Sequence, residues 1–138
     1  MIETNIQMRF ADVDVLGHVN NVNQQHYFDI GKSDFFARIL HLQAPWHTRG
    51  VIIVSTRTDY KGQILMGSSV CVITGVEEIG NKSFRLFQQI IDTETREVRT
   101  ECTTVLVAFD FEAQQSIELP ASWREKLSTQ IGRAGENR

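Results

Sequence analysis

The chain has 138 residues, enough for one domain that buries about two-thirds of its unfolded surface without help from metals or disulfides. Hydrophobic residues make up 41% and charged residues 22%, close to the globular average, which excludes wholesale disorder. The 14 Lys and Arg against 17 Asp and Glu give a net charge of −3 without a basic cluster, which argues against a nucleic-acid partner. No apolar run approaches the roughly 20 residues of a bilayer span. The start, Met1 to Phe10, has no basic segment leading into an apolar one, so a cytoplasmic location is expected. Cys71 and Cys102 lie in apolar runs without a CxxC neighbour and are expected to be free and buried. Asn81-Lys82-Ser83 matches a glycosylation sequon, but without a secretory signal it is read as chance.

Residues 2–10 alternate Ile6, Met8 and Phe10 with polar partners, the period of a first strand. The next stretch, dense in Asp, Asn and Gly, predicts a loop. From about Asn23, Phe28, Gly31, Phe35, Ile39 and Leu42 recur every three or four residues and predict one amphipathic helix of about 18 residues, some 27 Å long. Asn20, Asn21 and Asn23 are each candidate N-caps. Gly31 and Ser33 would let the helix pack closely on a sheet. An irregular connection through Pro45 ends near Gly50. Strand-like runs follow at 51–60, 68–79, 82–91 and 98–109, with a tight turn at Gly80-Asn81. A short helix is expected from Trp123 to Leu127 and a loose end after it.

One helix against consecutive hairpin-connected strands makes an α+β domain with an antiparallel sheet. A single helix cannot cover both faces of such a sheet, and edge strands need protection, so a homodimer or larger assembly is expected.

The stretch Asp12-Val13-Asp14-Val15-Leu16-Gly17-His18-Val19-Asn20-Asn21 sets two acids, a His and two Asn just ahead of a helix N-terminus. Such a terminus offers unpaired N–H groups and partial positive charge, which stabilise a developing oxyanion. A carboxylate beside it can attack a carbonyl or activate water, the chemistry of acyl transfer and hydrolysis. Three other readings compete. Asp12 and Asp14 can be plain turn formers. A calcium loop has the Asp-x-Asp-x-x-Gly start, but Leu16 and Asn23 stand where ligands are required. A metal site of Asp12, Asp14 and His18 lacks a second His or Cys at ligand spacing.

The run from Arg9 to Asn21, continued by Tyr27-Phe28-Asp29 and Phe35-Phe36, resembles the signature of hot-dog-fold acyl-CoA thioesterases, more narrowly the 4-hydroxybenzoyl-CoA thioesterase-like branch. Thr58-Asp59-Tyr60, Gly67 to Gly80, Lys82-Ser83-Phe84, Thr103 to Asp110, Leu119-Pro120 and Trp123-Arg124 are similar to its later strands and tail, so about residues 5–127 are covered. The sequence differs from the pattern at Gln24 (commonly Tyr), Lys32 (often Arg) and Lys61-Gly62 (often Arg or Lys followed by Pro).

The resemblance implies a long helix wrapped by a curved, five- to six-stranded antiparallel sheet over residues 1–128, with 129–138 as a flexible tail. It implies a homodimer or homotetramer with the active site at the dimer interface, an acyl-CoA substrate, and no cofactor or metal. Asp14 would be the nucleophile or general base. The backbone N–H of Asn21 would polarise the thioester carbonyl, and His18 would be a third catalytic candidate. Gly17, Val19 and Asn20 would shape the substrate pocket. Tyr27 would pack in the core or dimer interface, or line the pocket. Lys61, Lys82 and Ser83, with Arg57 and Arg85, are candidates for the CoA side, since its phosphates usually meet Lys or Arg. The alternatives are a hot-dog protein that binds acyl-CoA without turnover and a thioesterase acting on acyl carrier protein.

Overall fold

In the computed structural model, which describes residues 1–42 and 48–132, the period-two runs become strands of one antiparallel sheet that curls around a single long helix. The strands are β1 (Ile2–Ile6), β2 (Arg49–Tyr60), β3 (Val70–Ile79), β4 (Ser83–Asp92), β5 (Val98–Asp110) and the two-residue β6 (Gln115–Ser116). Their order is β1-β3-β4-β5-β2, with β6 paired to the end of β5. Register shifts at Ile53/Ser55, Val76/Glu78 and Ile90/Ile91 bend the strands. The α+β architecture expected from the sequence is the one found.

Helix α1 (Asn21–Phe35) continues through one π turn, Phe36–Leu40, and stops at His41, whose φ of 56° takes the left-handed conformation of a helix end. The helix starts two residues earlier than the periodicity suggests, because Asn20 rather than Asn23 caps it. Its apolar stripe packs on the inward-facing residues of β3, β4 and β5. At one end Phe35, Phe36, Leu86 and Leu106 meet Trp123 and Leu127 of the short helix α2 (Ala121–Ser128). At the other end Val19, Tyr27, Phe28, Ile64, Val72 and Ile90 form a second core under the polar loop.

Gly31 makes the close approach possible. A Cβ there would lie 2.6 Å from Val72 Cγ1 and 2.9 Å from Gln88 Nε2. The expected result for Gly31→Ala is a net loss of up to about 2 kcal/mol, because overpacking of about 1–3 kcal/mol opposes a helix-propensity gain of about 1 kcal/mol. Denaturant unfolding of the two proteins checks it.

Several expectations shift. β1 ends at Ile6, not near Phe10, because β3 begins at Val70, the partner of Ile6, and nothing beyond it can pair with residues 7–10. Phe10–Asp12 forms a 3-10 turn instead. β6 has no strand-like run of its own in the residue pattern, and makes the sheet six-stranded, within the five to six that the resemblance implies. Part of the expected flexible tail is tied down: Val76 N–H donates to Gln130 O (2.9 Å) and Gly132 N–H to Val76 O (2.8 Å). The connection at Pro45, with His47, and the end from residue 133 lie outside the described residues.

β2 is a sheet edge, bonded to β5 on one side only. Twelve residues long and rich in Val, Ile and Thr, it leaves a row of backbone groups and the exposed side chains of Ile53 and Val54 on its outer side.

Candidate active site

The polar loop between β1 and α1 is a short hairpin. Asp14 N–H donates to His18 O (2.9 Å) and Asn20 N–H to Asp12 O (3.0 Å), with Val13 opposite Val19. Its tip, Asp14-Val15-Leu16-Gly17, closes through Gly17 N–H to Asp14 O (3.0 Å). Gly17 has φ 81°, a left-handed geometry in which glycine carries no side-chain penalty. Leu16 N–H donates to Asp14 Oδ1 (2.9 Å), so the Asp14 side chain braces the turn with one oxygen. Among the described residues no donor reaches its other oxygen, Oδ2.

The segment between β2 and β3 adds a third strand-like piece to this hairpin. Val19 N–H donates to Ile64 O (2.8 Å) and Met66 N–H to Gly17 O (3.0 Å), and His18 bridges Leu65. Ile64 and Val19 are both buried and anchor the hairpin to the core.

The hairpin runs directly into the N-terminus of α1. The Asn20 side chain accepts from Val22 N–H (2.8 Å), and its carbonyl accepts from Gln24 N–H (3.0 Å). The N–H of Asn21, the first helical residue, meets no acceptor among the described residues and is one of the open amides of the helix start. The structure therefore joins, within one hairpin and helix start, a half-buried carboxylate with a free oxygen and an open amide at the positive end of a helix.

Asp12 takes a different part from its neighbour. It is 1% exposed. Its carboxylate accepts from Arg9 N–H (2.9 Å), Arg9 Nε (3.1 Å), Arg9 Nη2 (2.8 Å) and the Tyr27 hydroxyl (2.8 Å). Its carbonyl also accepts from Asn23 Nδ2 (3.2 Å). Burial alone would push the Asp12 carboxyl up; the donors from Arg9 and Tyr27 outweigh it and hold it below the usual carboxylate range. The Tyr27 hydroxyl is pushed above its ordinary value by burial and by Asp12. Neither the plain-turn reading nor the metal reading fits Asp12, since its oxygens are already taken. The sequence reasoning missed this cluster. The sequence holds only Arg9 three residues before Asp12 and Tyr27 in the second turn of the helix that follows, and neither spacing marks a contact.

The other expected residues divide. Gly17, His18, Val19 and Asn20 build the hairpin beside Asp14. No hydrogen-bond partner of the half-buried His18 ring is found among the described residues. Tyr27, 2% exposed, is spent on Asp12 and does not line an open pocket. Gln24 is buried as well: its Nε2 donates to Val19 O (3.2 Å) and its Oε1 accepts from Thr100 (2.6 Å). Lys32 is buried with Nζ 3.6 Å from Asp29 and 6.0 Å from the Phe28 ring centre. Lys61 lies at the site's end of the sheet, paired with Glu101 (2.8 Å).

Lys82 and Ser83 lie at the other end. Ser83 pairs with Val107, whereas the site's end of β5 is marked by Thr100 opposite Tyr60. Seven residues of strand separate them, roughly 23 Å. Within one protomer the structure does not bring Lys82 or Ser83 to Asp14. Arg85, paired with Glu78 (2.6 Å), lies beside Ser83 on β4, and Arg57 is exposed on β2 with Asp59 3.6 Å away. Among the described residues no group of three or more His, Cys, Asp or Glu is placed to hold a metal ion, and no helix is long and apolar enough to cross a membrane.

The fold is shared by many solved proteins. A predicted thioesterase from Bacillus stearothermophilus superposes with a TM-score of 0.85 at 28% identity, covering 96% of this chain and 98% of that one. A Thermus thermophilus thioesterase, solved with coenzyme A and Zn, superposes with a TM-score of 0.80 at 27% identity, covering 95% of each chain. The long-chain acyl-CoA thioesterase FadM of Escherichia coli is 22% identical over 133 residues, covering 94% of this chain and 99% of FadM. The model of the thioesterase-like superfamily matches residues 8–127, from just before the hairpin to the end of α2. The chain thus belongs to the thioesterase-like superfamily: a thioester hydrolase on the hot-dog fold, the class that its Asp12 to Asn21 run resembles.

Proposed function

We propose that this protein hydrolyses acyl-CoA thioesters to free acid and CoA, with Asp14 supplying the attack and the Asn21 N–H polarising the carbonyl. The observation that carries the reading is the free Oδ2 of Asp14 held in the same hairpin that delivers the open amide of Asn21. Asp14 adds to the thioester carbon, or takes a proton from a water that does. The negative charge then forms on the carbonyl oxygen, where the helix amide stabilises it. Collapse breaks the C–S bond, and the thiolate leaves with its electron pair and takes up a proton from water. On the direct route the acyl-Asp14 anhydride is then hydrolysed. A thiolate is a good enough leaving group that no strong general acid is needed, which fits a site whose one imidazole, His18, has no orienting partner among the described residues. The coenzyme A complex of the Thermus protein and the likeness to FadM, a long-chain acyl-CoA thioesterase, support CoA as the carrier.

The site needs a second subunit on this reading. Val15 and Leu16 at the hairpin tip and Leu65 and Met66 beside it are exposed in the single chain, an apolar rim around Asp14. Antiparallel pairing of two β2 edges about a twofold axis would form one continuous sheet. It would also reverse the partner's strands, so that Lys82 and Ser83 of the partner subunit come to the end of the sheet that carries this protomer's Asp14. We therefore assign those two residues to the CoA side in trans. Residues 1–128 form one domain on this reading, and the free buried cysteines Cys71 and Cys102 suit the reducing cytoplasm.

Thiol release from short, long and aromatic acyl-CoAs tests the activity. Release from at least one supports it and identifies the acyl class. Release only from acyl carrier protein thioesters moves the carrier, and saturable binding without release makes the protein a binder. Val54→Asp tests the assembly. Val54 is exposed and skipped in the pairing with β5, so the single chain should tolerate the change. In the dimer each substitution occurs twice at the shared edge, and two carboxylates face each other. Sedimentation should show a shift to monomer, with thiol release falling in parallel.

A further inference from the structure

We propose that Asp12 is the positioning residue of the site: held by Arg9 and Tyr27, it fixes the placement of Asp14 relative to the N-terminus of α1. The inference rests on the reading of Asp14 and Asn21 as the reacting pair.

The bonds of Asp12 run to the segments that carry those two groups. Through its carbonyl it holds the Asn20 N–H at the helix cap and the Asn23 side chain in the first turn. Through its carboxylate it holds the Tyr27 hydroxyl in the second turn. On the other side Arg9 closes on it with a backbone and a two-pronged guanidinium contact, fixing the chain where it leaves β1. Asp14 follows after one residue, Val13, which is itself paired with Val19. A displacement of Asp12 against the helix therefore carries Asp14 with it. Backbone bonds set the register within the hairpin, and the carboxylate with its four directed donors ties that hairpin to Arg9 on one side and to the second turn of the helix on the other. A buried acid is suited to the task, since each donor it accepts is charge-assisted or enclosed, and its charge is kept by the same contacts.

The geometry matters because a thioester carbon must sit near both Asp14 Oδ2 and the Asn21 amide. Misplacement by about 1 Å costs on the order of 100-fold in rate. Loss of one of the four donors should shift the hairpin by less than that.

Tyr27→Phe tests the proposal, since it removes the hydroxyl and keeps the ring in the core. The expected result is a fall in kcat of about tenfold with KM within about twofold, the pattern of an interaction that serves only the transition state. Thr4→Val is the control. It removes a strand-to-helix bond of similar kind, Thr4 Oγ1 to Asp34 Oδ2 (2.6 Å), near the C-terminal end of α1 and two turns beyond Tyr27, and should lower the melting temperature without changing kcat. If Tyr27→Phe keeps the wild-type kcat while Asp14→Asn is inactive, Asp12 is only a structural carboxylate and the proposal is overturned, with the function left standing. If the wild type releases no thiol from any thioester, the function falls and the proposal with it. Should Tyr27→Phe fail to fold, Arg9→Lys replaces it. Arg9 is mostly exposed, and lysine keeps the charge but loses the paired Nε and Nη2 contact, so the same fall in kcat is expected.

Discussion

Asp14→Asn is expected to lower kcat for thiol release by at least about 100-fold, some 2.7 kcal/mol of barrier at 1.36 kcal/mol per tenfold. The substitution is chosen for what it preserves. Asparagine has the same shape, and its Oδ1 can still accept from Leu16 N–H, the contact that braces the hairpin tip. The tip should keep its turn, and the melting temperature should move little. What disappears is the charged Oδ2, replaced by an amide nitrogen that can neither add to a carbonyl nor take a proton from water. KM should change far less than kcat, since the side chain contributes to the transition state more than to binding. Steady-state thiol release, with unfolding curves of both proteins, checks this. A folded variant retaining most of the activity would remove Asp14 from the mechanism and leave the open helix amide without a chemical partner.

The loop was legible in the sequence because its chemistry is local. Asp14, Gly17 and Asn20 act through bonds to residues two to four positions away, and such bonds leave a mark in spacing. The helix was legible for a related reason: its apolar stripe has the period of the element that buries it, and Gly31 was readable as a point of close contact. Asp12 was not legible. Nothing in the string Asp-Val-Asp says that the first carboxylate turns inward to Tyr27, fifteen residues on, while the second turns outward. The difference arises from the second core, where Tyr27 is enclosed and needs an acceptor for its hydroxyl. Gln24 is a similar case. In the sequence it stood only as a departure from the commoner Tyr, yet it is buried, and Thr100, 76 residues away, donates to its Oε1. The place of Lys82 and Ser83 was hidden by sheet order, since β4 begins at the end of the sheet away from the loop and only a second subunit can bring that end back.

Asp12→Ala is expected to cost about 2–3 kcal/mol of stability at pH 7, and the cost should shrink in acid. The Tyr27 hydroxyl would stay buried without an acceptor, at about 1–3 kcal/mol, and the enclosed carboxylate bonds would be lost outright. Arg9 adds little, because its guanidinium is largely exposed and water replaces the lost contact. The sign of the pH effect follows from the direction of the shift. The Asp12 carboxyl lies below its ordinary value in the folded protein. In the unfolded chain it titrates near about 3.9. Its ionised contacts therefore stabilise the fold above about pH 4, and this contribution is lost as the pH falls through the folded value. Asp92, also held low by the N–H groups of Thr95 and Glu94, titrates in the same acid range, but it does so in both proteins and cancels in their difference. Urea unfolding of wild type and Asp12→Ala at pH 7 and near pH 3 should give a stability gap that narrows in acid. A gap that stayed constant would mean that Asp12 contributes volume and not charge. Arg9 and Tyr27 would then have no ionised partner to hold, and the register between Asp14 and the helix would have to come from the hairpin's backbone bonds and packing without the carboxylate.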